Sequence, residues 1–485
     1  MKFIVKLFPE ITIKSKPVRK RFIQRLQSNL QVTLRRLDDA IKVRGLWDKV
    51  EVEVASEDAN LRLQMIDVMA ATPGILYFLE VEQHVLGTFD EIFQLTRAAY
   101  AERIKGKTFV VRVKRAGKHD FKSGDVERYV GGGLLQHCES AGVDLHHPEV
   151  KVKLEIRDQH LFVVSHKHLG LGGYPLGSQD AVLSLISGGF DSVVASYMTM
   201  RRGCKTHFLF FNLGGRAHEI GVKQVALALW QKYGSAARVK FITVPFEEVV
   251  GEILQNVHHT QMGVVLKRMM LRAAERVSDR MKLHAVVTGE SVAQVSSQTL
   301  PNLAVIDEVT KKLVLRPLIT MDKQDIIDLT KKIGAYDMAK NIPEYCGVIS
   351  DRPTTNAKLE RIEEEESGFD YAVLDQALQD AQVITIDKIV EDVNAHAQIE
   401  ALTKVGDGQA LIDIRPSHEQ ERKPLNMPKC EVLTIPFFNL ESEFATLDQA
   451  KEYLLYCDKG MMSQLHAQHL QEKGYNNVRV FRPEG

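Results

Sequence analysis

Two periodicities divide the chain. Residues 2–8 and 50–55 alternate apolar and polar side chains, as in Val50-Glu51-Val52-Glu53-Val54, and a period of two predicts half-buried strands. Between them, residues 17–45 set Phe22, Ile23, Leu26, Leu30, Val32, Leu34, Leu37 and Ile41 among Arg and Lys at near-helical spacing. Together these segments predict a small α+β unit. Residues 83–165 repeat the theme with a helical stretch, the strand-like run Thr108 to Arg115, glycine-rich residues 131–133, and strands at 150–154 and 161–165. Farther on, apolar runs at 181–186, 206–212, 239–244 and 284–288 alternate with helical stretches at 219–233, 247–256 and 263–280. Strand and helix in turn predict a parallel α/β sheet, whose ligands lie beyond the carboxyl ends of its strands. The residues to examine there are 187–192, 212–215 and 289–291.

A chain of 485 residues exceeds one core, and its length suggests about three domains. With 44% hydrophobic residues and no apolar run long enough to cross a bilayer, it reads as soluble, with no membrane partner. Met1-Lys2-Phe3-Ile4-Val5-Lys6 carries charges within its apolar stretch and does not read as a signal peptide, so a cytoplasmic location is expected. Five cysteines, at 138, 204, 346, 430 and 457, are scattered without a C-x-x-C pair, which argues against a disulfide framework or a Cys-based zinc site. The adjacent His pairs 146/147 and 258/259 lack the i, i+4 spacing of metal ligands. Net charge is zero, yet residues 1–50 hold 13 Lys/Arg against 4 Asp/Glu, whereas residues 360–400 hold 2 against 12. Residues 101–122 add eight Lys/Arg opposed only by Glu102 and Asp120. Such basic stretches suggest a polyanionic partner, most simply nucleic acid.

Ser187-Gly188-Gly189-Phe190-Asp191-Ser192 follows the apolar run 181–186 and precedes a helical stretch, Val193 to Arg201. Strand, glycine-rich turn and helix in that order make a phosphate cradle, because turn N–H groups and the helix dipole converge on an anion. A Walker motif is absent, since Ala101 stands where a glycine would have to precede Gly106-Lys107-Thr108. Gly170-Leu171-Gly172-Gly173-Tyr174-Pro175 fails as a dinucleotide fingerprint, with Pro175 at the third glycine, and reads as a domain linker. The turn at 187–192 resembles the S-G-G-x-D-S signature of the PP-loop ATP pyrophosphatases, which cleave ATP between its α and β phosphates to adenylate a substrate.

Phe109 to Arg115 as a basic strand, with Gly131-Gly132-Gly133-Leu134-Leu135 after a helix, resembles the THUMP domain, an RNA-binding module. Arg112, Lys114, Arg115, Lys118 and Lys122 would meet phosphates there and confer affinity more than sequence choice. Thr288 to Thr299 and Arg316 to Lys323 resemble segments of the tRNA 4-thiouridine synthetases, also called tRNA uracil 4-sulfurtransferases or thiamine-biosynthesis sulfurtransferases. That resemblance runs along the whole chain and implies an α/β multidomain protein. Its parts would be an N-terminal α+β ferredoxin-like domain (1–60), THUMP (61–167), a parallel-sheet PP-loop ATP pyrophosphatase domain (176–350), an acidic linker (351–403) and a C-terminal α/β rhodanese domain (404–485). It also implies that Leu185 and Ile186 contact adenine, that Lys267, Gly289 and Gln298 hold the nucleotide, and that Asp191 and Lys323 act on the reacting phosphates, while Ser187, Gly188, Gly189 and Ser192 form the cradle. A carboxylate such as Asp191 can hold Mg²⁺, and an ammonium such as Lys323 can neutralise charge developing on pyrophosphate, so ATP and Mg²⁺ are expected. On periodicity alone Lys267 reads as a solvent-facing position of an amphipathic helix.

Ala410 to Glu419 resembles the D-x-R-x-x-x-E element of rhodaneses, and Tyr453 to Ser463 their strand, catalytic Cys and anion loop. Cys457, at a strand end before a helix, is placed where N–H groups and the dipole favour a thiolate that can carry sulfur as a persulfide. Many rhodaneses have Arg where this loop has Met462, so a cysteine desulfurase suits it as donor better than thiosulfate. The resemblance implies that Cys346 forms a disulfide with Cys457 during turnover, that tRNA is the substrate, and that a small sulfur-carrier protein of thiazole synthesis is a second acceptor. Cys138, Cys204 and Cys430 read as structural. Two other readings stay open at this point: an RNA-binding protein without thiolation activity, and a PP-loop synthetase acting on a small molecule.

Overall fold

The computed structural model describes residues 1–213, 215–340, 342, 352–389, 401–406, 408–415, 420, 424–425, 427, 430–437, 439–457 and 461–483. The chain forms two compact units, one of residues 1–179 with 201–203, the other of 180–200 with 204–485.

The first unit is built on one eight-stranded sheet. Its strands are Lys2–Leu7 (β1), Lys42–Gly45 (β2), Lys49–Glu53 (β3), Ile75–Val85 (β4), Thr108–Ala116 (β5), Gly142–Val143 (β6), Val150–Arg157 (β7) and His160–Gly172 (β8), in the order β2-β3-β1-β4-β8-β7-β5-β6. Alternation along β1 sends Phe3 and Val5 to a core shared with Phe22, Leu26 and Leu30 of the Lys16–Leu34 helix, and Ile4 to a second cluster with Leu79, Val81 and Phe162. The expected helical spacing over 17–45 stops at Leu34. Asp38 accepts the Ala40 N–H at 2.8 Å, and this Asx turn leads into β2, where Val43 is buried as a strand residue.

Two further readings change here. Gly131, Gly132 and Gly133 do not follow a helix but lie inside one, Ser123–His137, held by the buried Val126, Val130 and Leu134. Gly170 to Gly172 is not a linker but the end of β8, which pairs Gly172 with Ile75.

The second unit carries two sheets. In the larger, Val182–Leu185 (β9), Thr206–Asn212 (β10), Lys240–Pro245 (β11), Ala285–Val287 (β12), Leu313–Leu315 (β13) and Gln382–Thr385 (β14) run in the order β13-β12-β9-β10-β11-β14. All pairings are parallel except β11 with β14. The chain fills one side of β9 with β10 and β11, then crosses to the other with β12 and β13. That reversal makes the carboxyl end of β9 the switch point at which an open α/β sheet binds ligands.

Residues 359–389, expected as linker because of their acidity, belong to this domain. The Leu359–Ser367 and Tyr371–Gln379 helices bury Ile362, Leu374 and Leu378 against the Met262–Met281 helix, and β14 closes the sheet. Acidity misled because one of those charges is buried: Glu366 accepts both arms of Arg268 at 2.6 and 2.9 Å, and Arg272 at 2.9 Å.

The smaller sheet comprises Ala401–Leu402 (β15), Ala410–Asp413 (β16), Glu431–Thr434 (β17), Tyr453–Tyr456 (β18) and Val478–Phe481 (β19), all parallel, in the order β15-β19-β18-β16-β17. The Met461–Glu472 helix packs Ala467 and Leu470 on it. This domain sits on the Gly215–Leu229 helix of its neighbour, where Gln224 Nε2 meets His466 Nε2 at 3.1 Å.

A candidate nucleotide site, thiol site and basic face

β9 ends at Leu185, and the Phe190–Arg201 helix starts five residues later. Ser192 closes the intervening turn: its Oγ accepts the Ser187 N–H at 3.1 Å and donates to the Gly189 carbonyl at 3.1 Å. Gly188, at φ +84°, takes the left-handed step this turn needs. Gly289, after β12, lies so close that a Cβ there would sit 2.6 Å from the Asp191 carbonyl carbon. The two strand ends can therefore meet only through glycine.

Above the turn opens a cavity of about 440 Å³, lined by Leu185, Ile186, Ser187, Asp191, Ser192, His218, Lys267, Gly289, Glu290, Gln294 and Gln298 among others. Its floor and one wall are apolar (Leu209, Phe211, Leu266, Met270 and Ile306), which suits a base. Its mouth is charged. Lys323, first residue of its helix, donates to both Asp191 oxygens at 2.9 and 3.0 Å, and Gln294 Nε2 donates to Oδ2 at 2.7 Å. Lys267 faces the cavity, not bulk solvent, and donates to Glu290 at 2.6 Å. Glu290 also accepts Arg316 Nε at 2.7 Å and Thr288 Oγ1 at 3.0 Å, while Arg316 grips Asp307 with two further bonds of 2.6 and 2.7 Å. Burial alone would raise the Glu290 pKa, but Lys267 and Arg316 outweigh it and hold the carboxyl down at about 2. Burial lowers the pKa of His218, whose Nε2 lies 3.4 Å from the Ser187 carbonyl.

The structure thus brings Leu185, Ile186, Ser187, Asp191, Ser192, Lys267, Gly289 and Gln298 to one cavity. Gly188 and Gly189 lie in the turn beneath it, and Lys323 reaches it through Asp191. Glu290 lies in the stretch 289–291 that the strand order marks for examination, but neither it nor Arg316 nor Gln294 was assigned a role in the site. Glu290 and Gln294 follow a strand end, where ligand contacts concentrate, but no periodicity singles them out.

Cys457 follows β18 and is buried, with Sγ accepting the Ser463 N–H at 3.3 Å and lying 3.5 Å from Ser463 Oγ. One strand over, Asp413 and Arg415 form a buried two-point pair at 2.9 and 2.6 Å, and the guanidinium lies 5.2 Å from the Tyr456 ring centre, one residue before the thiol. Ser417, His418 and Glu419 of the expected element, the Met462 side chain and Cys346 lie outside the described residues. Ile342, four residues before Cys346, packs against Gly188 of the phosphate turn.

In the first unit, Arg112, Lys114, Arg115, Lys118 and Lys122 are all exposed, and among the described residues none of them forms an ion pair. They do not share one face. Arg112 and Lys114 alternate with the buried Val111 and Val113, whereas Arg115 has the opposite parity at the strand end and lies 3.0 Å from His119 Nδ1. The β5–β7 register places Lys153 beside Arg112. Lys151, Lys153, Lys167 and Arg103 line a hollow of about 280 Å³. Burial, then Lys167, Lys151 and Lys114, lower the Lys153 pKa. The sequence reading missed this group because its members come from two strands and a helix.

Four family models match the chain in order: the ThiI ferredoxin-like domain over residues 2–78, the THUMP domain over 87–165, the thiamine biosynthesis protein (ThiI) over 177–371 and the rhodanese-like domain over 396–482. A tRNA sulfurtransferase of Azotobacter vinelandii is 56% identical over 483 residues, covering 100% of both chains, and one of Pseudomonas aeruginosa is 57% identical with the same coverage. A crystal structure described as a 4-thiouridine synthetase–RNA complex with bound ATP shares 26% identity at a TM-score of 0.71, over 79% of this chain and 99% of that one. The fold is that of a PP-loop enzyme carrying a THUMP module and a rhodanese. The chain belongs to the tRNA sulfurtransferase family.

Proposed function

We infer that this protein uses ATP to replace the C4 oxygen of a tRNA uridine, at position eight, with sulfur, giving 4-thiouridine. The observation that carries this reading is the phosphate turn at the sheet's switch point, with Asp191 held between Lys323 and Gln294 at the mouth of a base-sized cavity. Leu185 and Ile186 face the adenine, and the turn amides and Lys267 take the phosphates. The uridine O4 bonds to the α-phosphorus as N3 gives up its proton to solvent and pyrophosphate departs, its charge met by the Lys323 ammonium. Asp191, a lone carboxylate at a helix N-terminus, fits Mg²⁺, which is typically bound by one or two carboxylates together with phosphate oxygens. Such an ion would offset phosphate charge there.

AMP is a far better leaving group than the original oxygen. Sulfur from a Cys457 persulfide attacks C4, and AMP leaves with that oxygen. The Cys346 thiolate attacks Cys457 Sγ, freeing the terminal sulfur as the disulfide forms, and a dithiol reductant restores both thiols. A cysteine desulfurase loads Cys457, and the same persulfide serves a small carrier protein for thiazole synthesis. The exposed lysines and arginines of the first unit hold the tRNA by its phosphates. A cytoplasmic location fits these partners, and among the described residues no helix is long and apolar enough to cross a membrane.

The test is to incubate unmodified tRNA with the protein, Mg-ATP, a cysteine desulfurase and cysteine, then look for 4-thiouridine by mass and near-ultraviolet absorbance. Asp191→Ala should lower AMP formation by about 10³-fold without weakening tRNA binding. Cys457→Ala should leave AMP formation intact but abolish thiolation. Thiolation that survives Asp191→Ala would refute this assignment.

A further inference from the structure

The loop after β12 carries a residue whose environment calls for a ligand. Residues 291–298 close on themselves: Ala293 N–H donates to the Gln298 carbonyl at 3.0 Å, Gln298 N–H to the Val295 carbonyl at 2.9 Å, and Ser291 N–H to Gln298 Oε1 at 3.3 Å. Ser291 Oγ ties the loop to the Met321 carbonyl at 2.8 Å, two residues before Lys323. Within it Ala293 sits at φ +62°, a left-handed conformation that costs an alanine energy and that folds retain mainly where it places something. The next residue is Gln294.

Gln294 donates from Nε2 to Asp191 Oδ2 at 2.7 Å. A carboxylate only accepts, so the nitrogen end of the amide must face Asp191 and the orientation of the group is fixed. Its other end, Oε1, is fully buried and has no partner among the described residues, although the side chain lines the cavity. A buried unpaired acceptor is costly, and such atoms are normally satisfied by something that binds. Phosphate oxygens at neutral pH offer no donor, so the nucleotide's phosphates cannot be the partner. The group that meets Oε1 must bring an N–H or O–H to within bonding distance of a side chain already holding Asp191.

We propose that Gln294 reads the N3–H of the target uracil, and so acts as a specificity residue for the base to be thiolated. The inference rests on Asp191 standing at the reacting phosphates. If it does, O4 of the base must come beside Asp191, and N3–H is the donor one bond away from C4. Cytosine presents a lone pair at N3, which would face the Gln294 oxygen and be repelled. The amide therefore couples two tasks, fixing the carboxylate through nitrogen and testing the base through oxygen.

The experiment compares tRNA carrying uridine with tRNA carrying 3-methyluridine at the target position, for the full-length protein and for Gln294→Ala, which also makes room for the methyl group. Binding is measured with a non-cleavable ATP analogue present, because O4 adenylation must expel the N3 proton and a methyl at N3 blocks that chemistry whatever reads the base. The unaltered protein should bind the methylated tRNA about tenfold more weakly. Gln294→Ala should bind ordinary tRNA about tenfold more weakly yet hold the two tRNAs within about threefold of each other, because the interaction is already gone. Its dissociation constant for ATP alone should stay within about threefold of the unaltered protein's, which also reports an intact fold. Discrimination against the methyl that survives in Gln294→Ala would overturn the proposal, since another group would then read N3. A tenfold or larger loss of ATP affinity would overturn it too, assigning the donor to the nucleotide. Failure of the adenylation reading itself shows separately, as AMP formation unaffected by Asp191→Ala.

Discussion

The basic face of the first unit and the nucleotide cavity of the second use charge in opposite ways. On the face, Lys151, Lys153, Lys167, Arg112 and Lys114 stand near one another, and the anions beside them are Glu149 at the rim and the buried Glu155 opposite Lys114. In the cavity, Lys267, Glu290, Arg316 and Asp307 form a closed alternation of signs, and Lys323 and Asp191 form a second. Crowded cations repel and gain only when a polyanion arrives, so the face is tuned for binding and contributes little to folding. Alternating charges satisfy each other before any ligand comes, so the cavity is preorganised.

The largest test of that contrast is at Glu290. Glu290→Ala should lower the unfolding free energy by about 3 kcal/mol at pH 7, since it strands Lys267 and takes one partner from Arg316 in a buried setting. The folded carboxyl titrates at about 2, below its value in the unfolded chain. Its contribution is therefore full above about pH 4.5 and lost as pH falls towards 2. Urea titrations at several pH values should show the gap between variant and parent narrowing over that window. A gap of under about 0.5 kcal/mol at pH 7 would mean that the network does not hold the cavity together.

The converse holds on the face. Lys151→Gln with Lys153→Gln should weaken tRNA binding about tenfold at 0.1 M salt and flatten the slope of log K against log salt by about 1.4 to 1.8. Stability should not fall, because each change removes repulsion. A tRNA affinity unchanged at low salt would take this hollow out of the RNA footprint and leave it to Arg115, Lys118 and Lys122.

This contrast also marks what could be read from the sequence. The phosphate turn was legible because a local order of strand, glycines and helix specifies it, and Cys457 because a strand end and a following helix frame it. Glu290 and Gln294 were present in a quoted segment, yet their roles come from partners 23 and 103 positions away, Lys267 and Asp191. The hollow was invisible for the same reason, since the register between β7 and β8, with Arg103 from a helix, assembles it. The acidic stretch at 359–389 was misread because composition reports charge and not burial. Glu366 looks like its neighbours in sequence but lies under two arginines. Helical spacing over 17–45 was misread because the buried Ile41 and Val43 fit both periods until the Asp38 turn decides between them.

His207 sharpens the comparison most cleanly in sign, because it is a half-buried base whose titration is shifted by burial and by neighbouring cations. It lies on β10, where its Nδ1 accepts the Lys240 N–H at 2.9 Å. Burial first, then Lys240 and Lys205, lower its pKa to about 4. In the unfolded chain the same ring titrates near about 6.5. Between those values the unfolded state binds a proton that the folded state refuses, so stability must fall as pH drops, by up to about 1.4 kcal/mol per unit, and level off below about 4. His207→Gln keeps an acceptor for the Lys240 N–H without the titration. Its unfolding free energy should be the flatter of the two between pH 6.5 and 4, whereas the Glu290 response appears only below about 4.5. Parallel slopes for parent and variant would show that the ring is already solvated and free to protonate in the folded state.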